Sequence, residues 1–245
     1  MDILPAIDLR GGKVVRLARG DYDRQTTYDD DAPAVAERFV SAGARWIHMV
    51  DLDAARTGTP ANTDTVRAVA EAVNARIELG GGARDTASVE SMLAAGVARV
   101  VVGSAALKHW AWFERLVSRG DLAGAVALGL DAREGRLAIH GWTEQTDLLA
   151  VDIARRVRGW GLGAIVYTDI ARDGMLEGVN VDATADVIAA TDVGVIASGG
   201  VATLDDVVRC REIGCSGAII GRAYYEGRID LVEAIKAAAG NVPKA

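Results

Sequence analysis

The sequence matches itself at a fixed distance, and this internal repeat narrows the fold more than any other feature. "LGGGA" recurs as "ASGGV", and "VVVGSAAL" recurs as "AIIGRAYY", each 118 residues later. "VDLDAARTGTPAN" matches "TDIARDGMLEGVN" at the same offset, and "IDLRGGK" matches "LDAREGR" at an offset of 123 residues. Four segments of the first half thus recur in order in the second half, which predicts a fold built from two equivalent halves.

Eight short apolar segments typical of strands alternate with amphipathic helical segments along the chain. The strand segments are "ILPAI", "WIHMV", "RIEL", "RVVVG", "AVALGL", "AIVYT", "GVIAS" and "GAIIG". Glycine is expected to end a helix in a left-handed conformation just before the next strand at Gly43, Gly96, Gly161 and Gly214. Such alternation predicts parallel strands with helical crossovers. Eight units in 245 residues favour an α/β fold of the (β/α)8 TIM barrel type, which takes about 250 residues, over a doubly wound open sheet.

Length and composition limit the class of protein. No linker or change in composition separates the halves, so we expect a single (β/α)8 barrel domain over residues 1–245. The net charge of −7 and the pI near 5.1 argue against a nucleic-acid partner held by a basic surface. The sequence shows no signal-peptide pattern and no apolar run long enough to span a membrane. The two cysteines show no disulfide or zinc spacing, which is typical of a protein in a reducing compartment. We expect a cytoplasmic protein that is a monomer.

Two aspartates end equivalent strands in the two halves. Asp8 follows the first strand segment and Asp131 follows the fifth, which places them on opposite sides of an eight-stranded ring. The C-terminal ends of the strands carry the active site in this fold, and two carboxyl groups there can act as a base and an acid. The alternative is that each aspartate only caps a loop or pairs with Arg10 or Arg133. Because the two aspartates recur in a repeat, we favour the catalytic interpretation.

Glycine-bearing turns follow neighbouring strands in both halves. Backbone N–H groups at such turns and at the starts of helices bind anions. The loops after strands seven and eight usually bind phosphate in these barrels, and the repeat provides that site twice. We therefore predict a ligand with a phosphate at each end. The residues are Gly81, Gly82, Gly103 and Ser104 in the first half, and Ser198, Gly199, Gly200, Gly221 and Arg222 in the second.

Other residues near the predicted strand ends could contribute to binding. Arg19 and Arg84 lie in loops from which they could reach phosphates as charge-assisted donors. Gly174 belongs to the loop after the sixth strand. The histidines look incidental, and His48 is expected to lie in the core because it is within a strand.

The motifs in combination resemble a known family. "PAIDLRGGKVVRL", "VDLDAA", "LGGGAR", "VVVGSAALK", "GLDAREG", "YTDIARDGMLEGVN", "VIASGGV" and "AIIGRAYYEG" are similar to segments of the HisA/HisF barrels of histidine biosynthesis, and within them to the HisA isomerases. The resemblance extends from Ile3 to about Ala237. It implies an Amadori rearrangement of a bisphosphorylated aminoimidazole carboxamide ribonucleotide (ProFAR) from an aminoaldose to an aminoketose (PRFAR).

The resemblance also implies roles for individual residues. Asp8 corresponds to the proton acceptor of the family and Asp131 to the proton donor, while Thr168 and Asp169 resemble its supporting polar pair. Trp142 is in a position to stack on the imidazole carboxamide. The family needs no metal and no organic cofactor, so none is expected here.

Three alternatives stay open at this point. A dual-specificity branch that also isomerises phosphoribosylanthranilate tends to carry "SGGIR" and "RGW", whereas this chain has "GGGAR" and "HGW", with His140 in place of the arginine. The HisF-type cyclases carry "Cys-Leu-Asp" where this chain has "Ala6-Ile7-Asp8". A non-enzymatic barrel that only binds phospholigands would gain nothing from two acids at the site. We therefore expect the isomerase.

Overall fold

The computed structural model describes residues 1–18 and 20–240. Within these residues the chain forms strands and helices in alternation, with two additional hairpin extensions. The strands are β1 (Asp2–Arg10), β2 (Lys13–Ala18), β3 (Asp21–Asp29), β4 (Trp46–Asp51), β5 (Arg76–Gly80), β6 (Arg99–Val102), β7 (Val126–Arg133), β8 (Arg136–Ile139), β9 (Glu144–Leu149), β10 (Ala164–Asp169), β11 (Val195–Ser198) and β12 (Gly217–Ile220).

The helices follow the barrel strands, and a 3-10 turn (Gly120–Leu122) precedes β7. The α-helices are α1 (Ala32–Ser41), α2 (Leu52–Thr57), α3 (Thr63–Ala72), α4 (Thr86–Ala94), α5 (Ser104–Lys108), α6 (Trp110–Val117), α7 (Ala150–Arg156), α8 (Val181–Ala190), α9 (Leu204–Glu212), α10 (Arg222–Tyr225) and α11 (Leu231–Ala238). None of the helices in the described part of the chain has the length and apolar character needed to cross a membrane.

Eight of the strands close into a parallel ring. Their order around the ring is β1, β4, β5, β6, β7, β10, β11 and β12, and β12 pairs with β1 to complete it. The predicted (β/α)8 barrel is therefore confirmed, and the chain does not form the open sheet. At the fifth and sixth barrel strands the register pairs Thr168 with Asp131, so these two predicted site residues are neighbours.

Side chains of the barrel strands alternate between two apolar layers. Leu4 and Ala6 of β1 belong to the small cluster that fills the barrel, while Ile3, Ile7 and Leu9 pack outward against the helices. This alternation is the period of two that a strand imposes on its side chains. Burying one such large aliphatic side chain contributes about 1.5–3 kcal/mol, so both layers hold the ring together.

The two-fold repeat is visible in local backbone structure. A capping box of Asp85 and Ser88 begins α4, and Thr203 and Asp206 form the same box at α9, 118 residues later. Capping boxes satisfy backbone N–H groups that a helix start leaves without partners. Equivalent helix starts in the two halves therefore use the same device.

Two expectations from the sequence need correction. Gly43, Gly96 and Gly214 have positive φ angles as predicted, but Gly161 does not, and Gly159 takes the left-handed conformation there. The hairpins β2–β3 and β8–β9 were not anticipated, because β3 and β9 are largely exposed polar segments without an apolar face.

Candidate active site

One cavity of about 740 Å³ lies at the C-terminal ends of the barrel strands. All of the predicted site residues that the structure describes line this cavity, with the exception of Asp169. Arg19, which was predicted to contact phosphate, lies outside the described residues. The glycines and aspartates that the repeat singled out thus lie around one space.

Asp8 is buried on β1 and held by an arginine that the sequence reasoning missed. Arg16 Nη1 donates to Asp8 Oδ2 at 2.9 Å, and Arg16 Nη2 donates to Asp173 Oδ1 at 2.6 Å. Arg10, the partner considered from the sequence, instead bonds to the Tyr22 carbonyl. Burial raises the pKa of Asp8 above its usual value, and the nearby Arg16 charge opposes that rise. Arg16 therefore favours the ionised form, which a base requires.

Asp131 lies across the ring in a different electrostatic environment. Its carboxyl group accepts hydrogen bonds from the side chains of Trp142 and Thr168. Burial raises the pKa of Asp131, and these two hydrogen bonds only partly oppose the rise. Among the described residues no lysine or arginine forms an ion pair with it, in contrast to Asp8. The environment therefore favours the protonated form, which an acid requires.

The glycine turns occupy adjacent loops on two sides of the cavity. Gly103 precedes α5 and Gly221 precedes α10, so in each half a short helix begins at the rim. The turns that start at Gly81 and Gly199 follow β5 and β11, which pair with β6 and β12. Each half thus brings a glycine turn and a helix start together, as predicted from the repeat.

Several of these glycines are also required by the fold itself. Gly81 and Gly199 have φ angles of +94° and +85°, and an added Cβ would lie 2.3 Å from the Asp51 carbonyl oxygen and 2.6 Å from that of Asp169. A Cβ on Gly82 would lie 2.7 Å from Cβ of Ala54. Larger side chains would therefore first disturb the loops, so glycine here reflects close backbone packing as well as access for an anion.

The side chains at the rim of each turn already have partners. Arg222 Nη1 donates to the Gly174 carbonyl at 2.7 Å, which joins the loops after β10 and β12. Arg84 Nη2 donates to the Ala55 carbonyl at 3.2 Å. Ser104 Oγ accepts from the His140 backbone N–H at 3.1 Å. The predicted binding side chains are thus tied into neighbouring loops.

Asp169, predicted to support the catalytic groups together with Thr168, does not line the cavity. Its Oδ2 accepts from Asn180 Nδ2 at 2.6 Å and its Oδ1 from the Ala171 N–H at 3.0 Å. In the first half, Asp51 accepts in the same way from Asn62 Nδ2 at 2.7 Å. Both aspartates are buried, and neither lines the cavity. These contacts favour a role in holding the loop after the strand, and the catalytic role stays a prediction.

Several cavity residues were missed from the sequence, among them Arg16, Asp173 and His48. Arg16 lies on β2, which was not predicted, although the two-glycine turn after β1 could have suggested a hairpin returning past Asp8. Asp173 reaches the cavity from the loop after β10. His48 was expected in the core, but it lines the cavity and its Nδ1 lies 2.7 Å from Oε1 of Glu78. The alternation of side chains along a strand indicates which residues point into the barrel. It does not indicate whether such a residue lies in the apolar interior or at the C-terminal end, where the cavity is.

Comparison with known proteins shows the family of the chain. Residues 2–230 match the sequence profile of the family described as "Histidine biosynthesis protein". A relative from Anaeromyxobacter sp. (strain Fw109-5) is 48% identical over 239 residues, which cover 98% of this chain and 100% of the relative. One from Rhodopirellula baltica is 46% identical, covering 97% and 94% of the two chains. A third, from Roseiflexus sp. (strain RS-1), is 45% identical and covers 97% and 99%.

The three relatives share one name. Each is an isomerase of 1-(5-phosphoribosyl)-5-((5-phosphoribosylamino)methylideneamino) imidazole-4-carboxamide. The profile match covers well over half of the chain, and the relatives are similar over nearly the whole of it. The chain therefore belongs to the family of histidine biosynthesis proteins.

Proposed function

We propose that this protein is an isomerase that converts ProFAR, the compound named for its relatives, to PRFAR in histidine biosynthesis. The observation that carries the proposal is one cavity in which Asp8 and Asp131 line the space between two glycine-turn sites. A substrate with a phosphate at each end would span the cavity between the two turn sites and bring its aminoaldose within reach of the two carboxyl groups. The reaction then proceeds by proton transfers to and from these groups.

The two aspartates divide the proton transfers. Asp131, whose environment favours the protonated form, donates a proton to the ring oxygen, so that the furanose opens to an iminium. Asp8, whose ionised form Arg16 favours, then removes the proton from C2. The resulting enolamine tautomerises to the aminoketose. Each proton transfer by a positioned group is worth roughly 10²–10⁴-fold in rate.

Arg16 lies between the base, Asp8, and the glycine-turn site of the second half, which is formed by Gly199, Gly200, Gly221 and Arg222. A Cβ added to Gly221 would lie 3.0 Å from Arg16 Nη1, so the guanidinium packs against this turn. Arg16 Nε is buried and has no hydrogen-bond partner in the described chain. A buried donor without a partner is costly, and a substrate oxygen at this turn would supply the missing acceptor. Arg16 thereby positions the base and takes part in binding the ligand.

The remaining binding residues complete the proposal. Backbone N–H groups at Gly82, Gly103 and Ser104 would hold one phosphate, and those at Gly200 and Arg222 the other. The proposal assigns every catalytic and binding role to residues of a single barrel domain, and we propose that this domain acts as a monomer. Cys210 and Cys215 are free thiols, in keeping with a reducing cytoplasm.

Substrate assays with purified protein test this function. The protein is incubated separately with ProFAR and with phosphoribosylanthranilate, and product is separated from substrate by chromatography and detected by absorbance, because the two isomers have the same mass. We expect conversion of ProFAR to PRFAR and no conversion of phosphoribosylanthranilate. Absence of PRFAR would overturn the proposal, and turnover of both compounds would show the dual-specificity activity instead. Soaking with inorganic phosphate, followed by counting anions at the two glycine-turn sites, tests the binding of two phosphates.

A further inference from the structure

We propose that Glu78, together with Arg99, is a positioning residue that fixes the ring of His48 at the floor of the active-site cavity. Glu78 touches neither the cavity nor, on this proposal, the substrate. It acts by holding one nitrogen of His48, so that the other nitrogen is presented to the substrate. The role in turnover rests on the proposed isomerase function, whereas the orientation of His48 can be measured without it.

Three neighbouring strands bring these side chains into one row. The register pairs His48 of β4 with Glu78 of β5, and Glu78 with Arg99 of β6. Glu78 Oε1 lies 2.7 Å from His48 Nδ1, and Arg99 Nε donates to Glu78 Oε2 at 2.6 Å. The guanidinium of Arg99 in turn lies 4.1 Å from the centre of the Trp46 ring, which closes the row below. Each member is therefore held by the next.

The position of this row inside the barrel is unusual. Apolar side chains such as Leu4, Val166 and Ile219 fill the rest of the interior, as is typical of these barrels. Glu78 is fully buried among them. A buried carboxylate is costly unless it is paired and hydrogen-bonded, and an apolar residue would fill the same space without this cost. The barrel interior thus keeps a charged pair where packing alone does not call for one.

The charge state of Glu78 determines the tautomer of His48. Burial opposes ionisation of Glu78, but the hydrogen bond from His48 and the charge of Arg99 hold its pKa below the usual value. An ionised carboxylate only accepts hydrogen bonds, so Nδ1 of His48 carries the proton. No described side chain bonds to the other ring nitrogen, Nε2. Nε2 therefore stays free for a ligand in the cavity.

His48 lies close to both catalytic carboxyl groups. It pairs with Ala6, two residues below Asp8 on the neighbouring strand, and it lines the same cavity as Asp8 and Asp131. Nε2 is thus positioned to contact the middle of the substrate, between the two phosphate sites. A ring free to rotate would lose this contact.

The variant Glu78→Gln tests the orientation directly. Arg99 Nε can only donate, so the oxygen of the new side-chain amide must face Arg99 and its NH2 group must face His48. Nδ1 then has to accept a hydrogen bond, and the proton moves to Nε2. Nitrogen NMR of the ring, with signals assigned by a His48→Gln variant, reports which nitrogen is protonated. The chain has only three histidines, which keeps the spectrum simple.

We expect a protonated Nδ1 of His48 in the wild-type protein and an unprotonated Nδ1 in Glu78→Gln. The kcat for ProFAR should fall by about 10–100-fold, as when outer partners that orient metal-binding histidines are removed, with a small change in KM. Glu78→Asp keeps the charge and should retain the wild-type tautomer. Glu90→Gln removes an exposed ion pair with Arg119 on the outside of the barrel and serves as the matched control.

The outcomes separate the two proposals. An unprotonated Nδ1 in the wild type, or an unchanged tautomer or kcat in folded Glu78→Gln, would overturn the positioning role of Glu78. If Glu78→Gln does not fold, the wild-type spectrum and the Glu78→Asp spectrum decide the question. A wild-type protein with protonated Nδ1 but without PRFAR formation would contradict the proposed function and leave the orientation of His48 in place.

Discussion

Replacing Asp131 by asparagine should remove activity without weakening the fold. Asparagine has the shape of aspartate, and its carbonyl oxygen has two lone pairs. This oxygen can therefore still accept a hydrogen bond of the kind that Trp142 and Thr168 donate to Asp131. Asparagine cannot deliver a proton to the substrate. The change thus removes the proton donor and keeps a hydrogen-bond acceptor of the same shape in its place.

The substitution affects the reaction rate and the stability of the fold for different reasons. Loss of a general acid costs about 10²–10⁴-fold in rate, or roughly 3–5 kcal/mol in the barrier at about 1.4 kcal/mol per tenfold. Because burial raises the pKa of Asp131, the folded chain binds this proton more tightly than the unfolded chain does. The stability contribution of the wild-type group is therefore largest below pH 3.8 and falls as the pH rises towards the raised pKa. Asparagine avoids that loss at pH 7.

The assay combines steady-state kinetics with unfolding at pH 7. We expect kcat for ProFAR to fall at least about a hundredfold while the melting temperature stays equal or rises. For a chain of this size a gain of about 1 kcal/mol corresponds to roughly 2–4 °C. Urea unfolding should show the advantage of the asparagine variant shrinking as the pH is lowered.

Asp169→Asn is the matched control, since it makes the same chemical change at the end of the next strand. There the new NH2 group would face Asn180 Nδ2, which now donates to Asp169 Oδ2 at 2.6 Å. A buried polar group without a partner costs about 1–3 kcal/mol, so this variant should lose stability. The reasoning would be refuted if Asp131→Asn kept more than about a tenth of the activity, or melted as early as Asp169→Asn.

Three further variants test other parts of the site. Arg16→Met removes the charge that opposes the raised pKa of Asp8, so the acidic limb of kcat/KM against pH should move to higher pH; an unmoved limb would argue against Asp8 as the base. Thr168→Val removes a hydrogen bond that lowers the pKa of Asp131, so the alkaline limb should move to higher pH, and a downward shift would contradict the acid role. Gly81→Ala forces an L residue to a φ of +94°, which costs about 1–2 kcal/mol or more; an unchanged melting temperature would contradict this strain.

Much of the fold followed from the sequence because its signals are local and repeated. The barrel strands are short apolar runs, and the offset of 118 residues brings Gly81 and Gly199 into equivalent turns with similar φ angles. The closed ring of strands was predicted because the sequence contains eight strand–helix units. The hairpin strand β3 could not be found in this way, because its side chains are mostly exposed and carry no apolar alternation.

The site was predicted less completely, since hydrogen-bond partners depend on three-dimensional proximity. Asp8 and Asp169 both follow strands, but only the structure shows that Asp8 lines the cavity while Asp169 is bonded to Asn180. Arg16 and Asp173 are 157 residues apart in sequence and are joined at 2.6 Å. No pattern within one segment could have paired them.

The two halves of the barrel are similar, but the proposed reaction needs one base and one acid. One position of the repeat accounts for the difference between Asp8 and Asp131. The hairpins after Asp8 and Asp131 have matching registers: Leu9 pairs with Val14 and Ala132 with Leu137, each at the offset of 123 residues. The same offset places Ile139 where the first half has Arg16. Ile139 is buried and apolar, so it gives Asp131 no cation, whereas Arg16 gives one to Asp8. Two carboxyl groups in equivalent positions can therefore hold their protons differently, and this difference is what a base and an acid working on one substrate require.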